Sequence, residues 1–188
     1  ARGIALQAMG RGDQAIAEFV RAIDLNPTDA ELLKIRGDAY LAQGARDPAI
    51  ADFSRAIALN PTFRDAYNNR AIAYMQQADW DRVIDDLGHA IAIDPRFVAG
   101  LLNRAQALKA KGDRSRALAD YDRVIALDPE RAVAFRHRAT LKQAKGDHGA
   151  AIADYGRALD LDPKDAAAWR GRGISELKQG RSAAAIAD

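Results

Sequence analysis

Arginine and carboxylate share one spacing in this chain. Arg2, Arg36, Arg70, Arg104, Arg138 and Arg172 stand 34 residues apart, and so do Glu18, Asp52, Asp86, Asp120, Asp154 and Asp188. Facing outward, the arginines would form a basic stripe for an acidic ligand. Facing inward, their stems would pack on apolar neighbours while each forked guanidinium meets a carboxylate. Binding surfaces rarely need the same residue in every repeat, so the inward reading is preferred. Arg36, Arg70, Arg104 and Arg138 are expected within about 4 Å of Asp52, Asp86, Asp120 and Asp154, as a structural ion-pair ladder.

Other chemistry is sparse. There is no Gly-rich phosphate loop between a strand and a helix, no G-x-S-x-G and no H-E-x-x-H. His89, His137 and His148 fall at different repeat positions without i, i+4 pairing, which suits surface or groove side chains better than metal ligands. The many Asp residues recur as helix caps and ion-pair partners, and none is singled out for acid–base work. Neither a catalytic residue, a metal nor a cofactor is expected, and the chain is read as a non-enzyme. Cysteine is absent, which excludes disulfides and thiolate sites and leaves the compartment open. The formal charge of +2 is small and scattered, so no nucleic-acid partner is expected. No apolar run approaches the roughly 20 residues that span a bilayer, and no secretory signal pattern is visible, so the chain is read as soluble and not membrane-inserted.

These side chains must be held by repeated elements. Ala49 to Pro61 reads AIADFSRAIALNP, and close variants start at Ala15, Val83, Ala117 and Ala151, with Ala185 to Asp188 opening a sixth. Ala49, Ile50, Phe53, Ala56 and Ile57 lie on one face of a helix, not on a strand. Asp47-Pro48 is expected to cap and start that helix, and Asn60-Pro61 to end it. Asp52/Arg55, Glu18/Arg21, Asp86/His89, Asp120/Arg123 and Asp154/Arg157 are expected as solvent-side i, i+3 pairs. Thr28 to Glu31 reads as a capping box for a helix from Ala30 to Gln43. Gly44 stands where a left-handed turn would end that helix, as do Gly112, Gly146 and Gly180; Ala78 departs from the series. Further helices are expected near 1–9, 13–26, 64–77, 81–94, 98–111, 115–128, 132–145, 149–162 and 166–179, with a short last one from Ser182. Each first helix of a pair carries an anchor (Leu33, Tyr67, Leu101, Phe135, Trp169) and a small residue four on (Gly37, Ala71, Ala105, Ala139, Gly173). Tyr40, Tyr74 and Leu108 follow three further, and Lys142 and Glu176 break that series. A fixed period of this length means stacked helical hairpins sharing one core.

Leu33, Gly37, Tyr40, Gly44, Ala49, Phe53, Ala56 and Pro61 together resemble the tetratricopeptide repeat. The resemblance covers the whole chain as a single array. It comprises a partial repeat at 1–29, full repeats at 30–63, 64–97, 98–131 and 132–165, and a partial repeat at 166–188. It implies an all-α fold, a right-handed superhelical solenoid of antiparallel helix hairpins, whose first helices line a concave groove. It also implies a scaffold that binds an extended peptide or helix of another protein. The ladder arginines stand where the family commonly has Leu.

By the family's geometry the groove side chains are Lys34, Asn68, Asn69, Asn103, Gln106, Arg136, His137 and Arg170. Asn69 and Asn103, one repeat apart, resemble the asparagine ladder of O-GlcNAc transferase repeats. A side-chain amide both donates and accepts, so it can grip a peptide backbone of any sequence. Both amides are expected exposed and free of strong internal partners. A clamp for chaperone tails is rejected: Lys34 and Asn69 fit it, but Asp38, Ala99 and Asn103 stand where Asn, Lys and Arg are needed. Two alternatives are a structural segment of a larger protein and, less favoured, a helical-repeat RNA binder. End-to-end homo-association is a further expectation, through Ile4 and Leu6 at one end and Ile174 and Leu177 at the other.

Overall fold

The computed structural model describes residues 2–181, among which are eleven α-helices and no strand. The chain divides into two compact units, residues 1–100 and 101–188. The first holds α1 (Arg2–Ala8), α2 (Gly12–Leu25), α3 (Ala30–Ala42), α4 (Arg46–Leu59), α5 (Arg64–Met75), α6 (Trp80–Ile93) and the first residues of α7 (Val98–Ala110). The second holds the rest of α7, then α8 (Arg114–Leu127), α9 (Ala132–Ala144), α10 (His148–Leu161) and α11 (Ala166–Lys178). Sequential helices pack on each other: α3 on α4 and α5 on α6 in the first unit, α9 on α10 and α10 on α11 in the second. This is the all-helical hairpin architecture that the repeat implies. The expected last helix from Ser182 lies outside the described residues.

The apolar faces read from the repeat are the core. Ala49, Phe53 and Ala56 are completely buried, as are Leu33, Leu87, Leu101 and Tyr121. Burying a side chain as large as Phe53 stabilises the fold by about 1.5–3 kcal/mol, so one such residue per hairpin dominates local stability. The small residue of α3 makes room for it. A Cβ added at Gly37 would sit 2.6 Å from Cε1 of Phe53, and one at Gly3 would sit 2.5 Å from the same atom of Phe19. In the second unit Phe135, Ala139, Tyr155, Ala158 and Leu159 form the equivalent cluster, with Trp169 packed against it.

Helix starts differ from the sequence reading. α4 begins at Arg46 and not after Asp47, with Ala45 as its uncapped N-terminal neighbour. Pro48 therefore occupies the third helical position, where its missing N–H is still one of the unpaired first-turn donors and costs nothing. The cap of α3 is Asp29, whose Oδ1 accepts from the backbone N–H of Glu31 and Leu32 at 3.0 and 3.1 Å. Thr28 instead turns its hydroxyl to Asn26, so no reciprocal box forms with Glu31. The helix ends agree better. Gly44, Gly112, Gly146 and Gly180 all take positive φ, and Ala78 is forced into the same left-handed turn at φ 56°.

The solvent-side pairs are mostly overturned. Glu18 does meet Arg21 at 3.2 Å. Asp52, Asp86, Asp120 and Asp154, however, are buried and face inward. Arg55 donates to the Pro27 carbonyl, His89 turns to Asp85, and Arg157 lies 4.0 Å from Asp160. The buried carboxylates are taken by first-helix guanidiniums, whereas the less buried Glu18 meets both Arg21 and Arg2.

Candidate functional site

Each buried carboxylate is gripped by a first-helix arginine in a two-pronged geometry. Arg36 reaches Asp52 through Nε (2.8 Å) and Nη2 (2.7 Å). Arg70 does the same to Asp86 at 2.9 and 2.6 Å, Arg104 to Asp120 at 2.8 and 2.7 Å, and Arg138 to Asp154 at 2.7 and 2.6 Å. Parallel N–H···O bonds of this kind are about twice as strong as neutral ones and orientationally demanding. They raise the already high arginine pKa values, first through the hydrogen bond to the carboxylate. Arg2 lies 3.5 Å from Glu18. Lys142, which broke the apolar series, adds its ammonium to Asp154 at 2.8 Å. The sixth carboxylate, Asp188, lies outside the described residues.

With the arginines turned inward, the remaining first-helix side chains form two separate polar groups, one in each unit. In the first unit Lys34, Asn69 and Asn68 are linked through Asp38. Asp38 accepts from Asn69 Nδ2 at 2.7 Å and sits 3.0 Å from the Lys34 ammonium. Asn68 Nδ2 donates to Asn69 Oδ1 at 3.0 Å. The expectation of a free, exposed Asn69 amide is therefore corrected: Asn69 is half-buried, and Asp38 competes for its donor. Asn103, in the second unit, is likewise half-buried and engaged.

In the second unit Arg136, His137 and Arg170 line one cavity of about 570 Å³, joined by Lys109 from α7. Its polar wall is Tyr155, whose hydroxyl donates to Gln143 Oε1 at 3.0 Å and lies 3.2 Å from Thr140 Oγ1. Gln143 is held at both ends, because its Nε2 also donates to the Gly171 carbonyl at 3.1 Å. Gly171 carries no side chain for a physical reason: the Tyr155 ring and hydroxyl occupy the place of its Cβ. Ile174 completes the apolar side of the cavity, so its exposed surface belongs to this site. Gln106 does not line the cavity.

The electrostatics follow from this crowding. Arg136 Nε approaches Asp165 Oδ2 at 2.7 Å, in a direction that misses hydrogen-bond alignment. Burial, then the nearby Arg136 and Lys109 cations, depress His137 to about 4, so its imidazole is neutral at pH 7. His137 stacks on the Tyr121 ring, centroids 5.6 Å apart. Tyr121 is the counterpart of Tyr155 one repeat earlier, but the counterparts of Thr140 and Gln143 are Gln106 and Lys109. Its buried hydroxyl has no hydrogen-bond partner among the described residues, and burial pushes it up to about 12.

Lys109 escaped the sequence reading. It occupies the position of Gln143, so a change from amide to cation at a fixed 34-residue register was the available signal. Ile4, Ile174 and Leu177 are exposed as expected, but Leu6 is buried against Ala15, Phe19 and Ala39 and is corrected accordingly. Among the described residues no helix is long and apolar enough to cross a membrane, and no group of three metal-ligating side chains occurs.

Family models for the TPR repeat match residues 37–78, and models for the tetratricopeptide repeat match 98–131 and 136–188. Among solved structures, MamA is 22% identical, with a TM-score of 0.83 over 87% of this chain and 96% of its own. A tetratricopeptide repeat protein from Parabacteroides merdae is 18% identical, with a TM-score of 0.84 over 99% of this chain and 74% of its own. YrrB, described as a TPR protein with an unusual peptide-binding site, is 17% identical, with a TM-score of 0.79 over 90% of this chain and 87% of its own. At these identities the likeness is one of fold. No curated protein sequence matches this chain.

Proposed function

Because the chain belongs to the tetratricopeptide repeat family, we propose that it is a protein-interaction scaffold that takes an extended peptide segment of a partner along its first helices. The observation carrying this reading is the cavity of the second unit. Arg136, His137 and Arg170, three groove residues expected from sequence, converge there with Lys109. A stable core has no use for three cations around an open space, whereas a ligand site does. The Lys34–Asp38–Asn69–Asn68 chain is the second candidate contact. A peptide there would have to displace or extend an existing network.

The test is a peptide-display selection against the immobilised chain, followed by titration of selected peptides with the chain and with Arg136→Gln. Affinity should fall by about tenfold, equivalent to 1.4 kcal/mol, while helicity is retained. Unchanged affinity would place the binding surface elsewhere. Self-association is a second reading, supported by the exposure of Ile4 (54%) and Met9 (70%). Sedimentation velocity over a wide concentration range checks it, and a constant monomer coefficient eliminates it.

A further inference from the structure

We infer that the cavity of the second unit selects an acidic side chain, a Glu or Asp within the bound peptide. The inference rests on the scaffold reading and specifies what that peptide must carry. The four ladder arginines described above are each matched by a buried carboxylate. At the cavity the matching fails. Lys109, Arg136 and Arg170 face one carboxylate, Asp165, which lies against Arg136. Among the described residues no carboxylate comes within ion-pair distance of Lys109 or Arg170.

The three cations act on a common space. Arg136 and Lys109 both bear on His137, and Arg136 and Arg170 both bear on Tyr155. Their mutual repulsion is relieved by an anion placed among them. In a recess walled by Tyr155 and Ile174 such an anion is screened less than on open surface. Asp165 offsets only one of the three charges, its Oδ2 lying 2.7 Å from Arg136 Nε while its Oδ1 accepts from the Ala167 and Ala168 N–H groups at the start of α11.

The ligand is a side chain and not a chain terminus for two reasons. Among the described residues no Asn lines the cavity, and Gln143 has its Oε1 on Tyr155 and one of its two Nε2 protons on the Gly171 carbonyl, which leaves a single amide N–H to orient a terminal carboxylate. Ile174 and Ala167 offer instead an apolar wall for the methylenes of a Glu stem. His137, neutral and stacked on Tyr121, contributes no competing charge.

The experiment uses two capped, amidated peptide libraries that differ only in Glu or Gln at the centre, with no other acidic residue. Their binding to the whole chain is compared with binding to Lys109→Gln and to Arg170→Gln, each checked for helicity by circular dichroism. The chain should favour the Glu library by about tenfold, and either folded variant should bring that preference close to one. Equal binding of both libraries overturns the acidic specificity and leaves the scaffold reading standing. Binding of neither library overturns the scaffold reading itself. A Glu preference that survives in both variants overturns the assignment to this cavity. A third library with central phosphoserine completes the test: if it is retained where Glu is not, the carboxylate is refuted.

Discussion

Arg70 and Asp86 offer the sharpest test of the ladder's role. Asp86 is 2% exposed and bonded twice to Arg70, whose side chain is 19% exposed and also donates to Ser54 Oγ at 3.0 Å. Asp86→Ala leaves a mostly buried guanidinium without its carboxylate, and Arg70→Leu leaves a buried carboxylate without its donors. Breaking a buried pair by removing one partner costs about 3–5 kcal/mol. Residual solvent access to Arg70 puts Asp86→Ala near the lower end, at about 3 kcal/mol. Arg70→Leu/Asp86→Ala removes both charges and restores the Leu common in the family, so its cost should be only about 1–2 kcal/mol. The double-mutant cycle then yields a coupling of at least about 4 kcal/mol. Urea unfolding followed by circular dichroism measures all four proteins, with agreement between probes required before midpoints become free energies. Additive effects of the two single changes would refute the ladder as a stabilising device. So would single variants that keep full stability and lose peptide binding.

Two other sites give independent expectations. Ala78 holds a left-handed conformation at φ 56° that costs an L-residue about 1–2 kcal/mol. Ala78→Gly should relieve this and, after the entropy cost of glycine, raise stability by about 0.5–1 kcal/mol in the same urea assay. His137 is depressed to about 4 in the folded chain against about 6.5 unfolded, so the unfolded state binds the extra proton. Stability is therefore full above pH 6.5 and falls as pH drops toward 4. The loss is about 1–2 kcal/mol once partial exposure is discounted, and His137→Gln should flatten that part of the profile.

The repeat and the ladder were readable because both depend on a strict period. Arg36 and Asp52 recur together, and a buried ion pair in every hairpin leaves the same two letters in each. The contacts that break the period were harder to read. Asp38 has no acidic counterpart at 72, 106 or 140, where Ile, Gln and Thr stand. Yet Asp38 decides the state of Asn69, by drawing its amide into an internal bond across 31 residues. Asp29 took the capping role from Thr28 because one carboxylate reaches two N–H groups at once. The cavity was half legible. Arg136 and His137 stood out by their register, but its completion by Lys109 depends on how α7 packs, and its shape on Tyr155 displacing the side chain of residue 171.

Some ladder arginines hold more than their own hairpin. Arg70 on α5 grips Asp86 on α6 and also Ser54 on α4, while Arg138 on α9 grips Asp154 on α10 and also Asp122 on α8 at 2.7 Å. At the turn edge of the first unit, Gln43 donates to Asp13 and Gln77 to Asp47, both at 2.9 Å and both across 30 residues. A hairpin that opens therefore strands polar groups on its neighbour as well as its own. Linear arrays whose units touch only the next in line tend to fray from their termini one unit at a time. Double-ended rivets of this kind oppose such stepwise loss, so hairpins within a unit should melt in company and amide exchange should report protection in blocks larger than 34 residues.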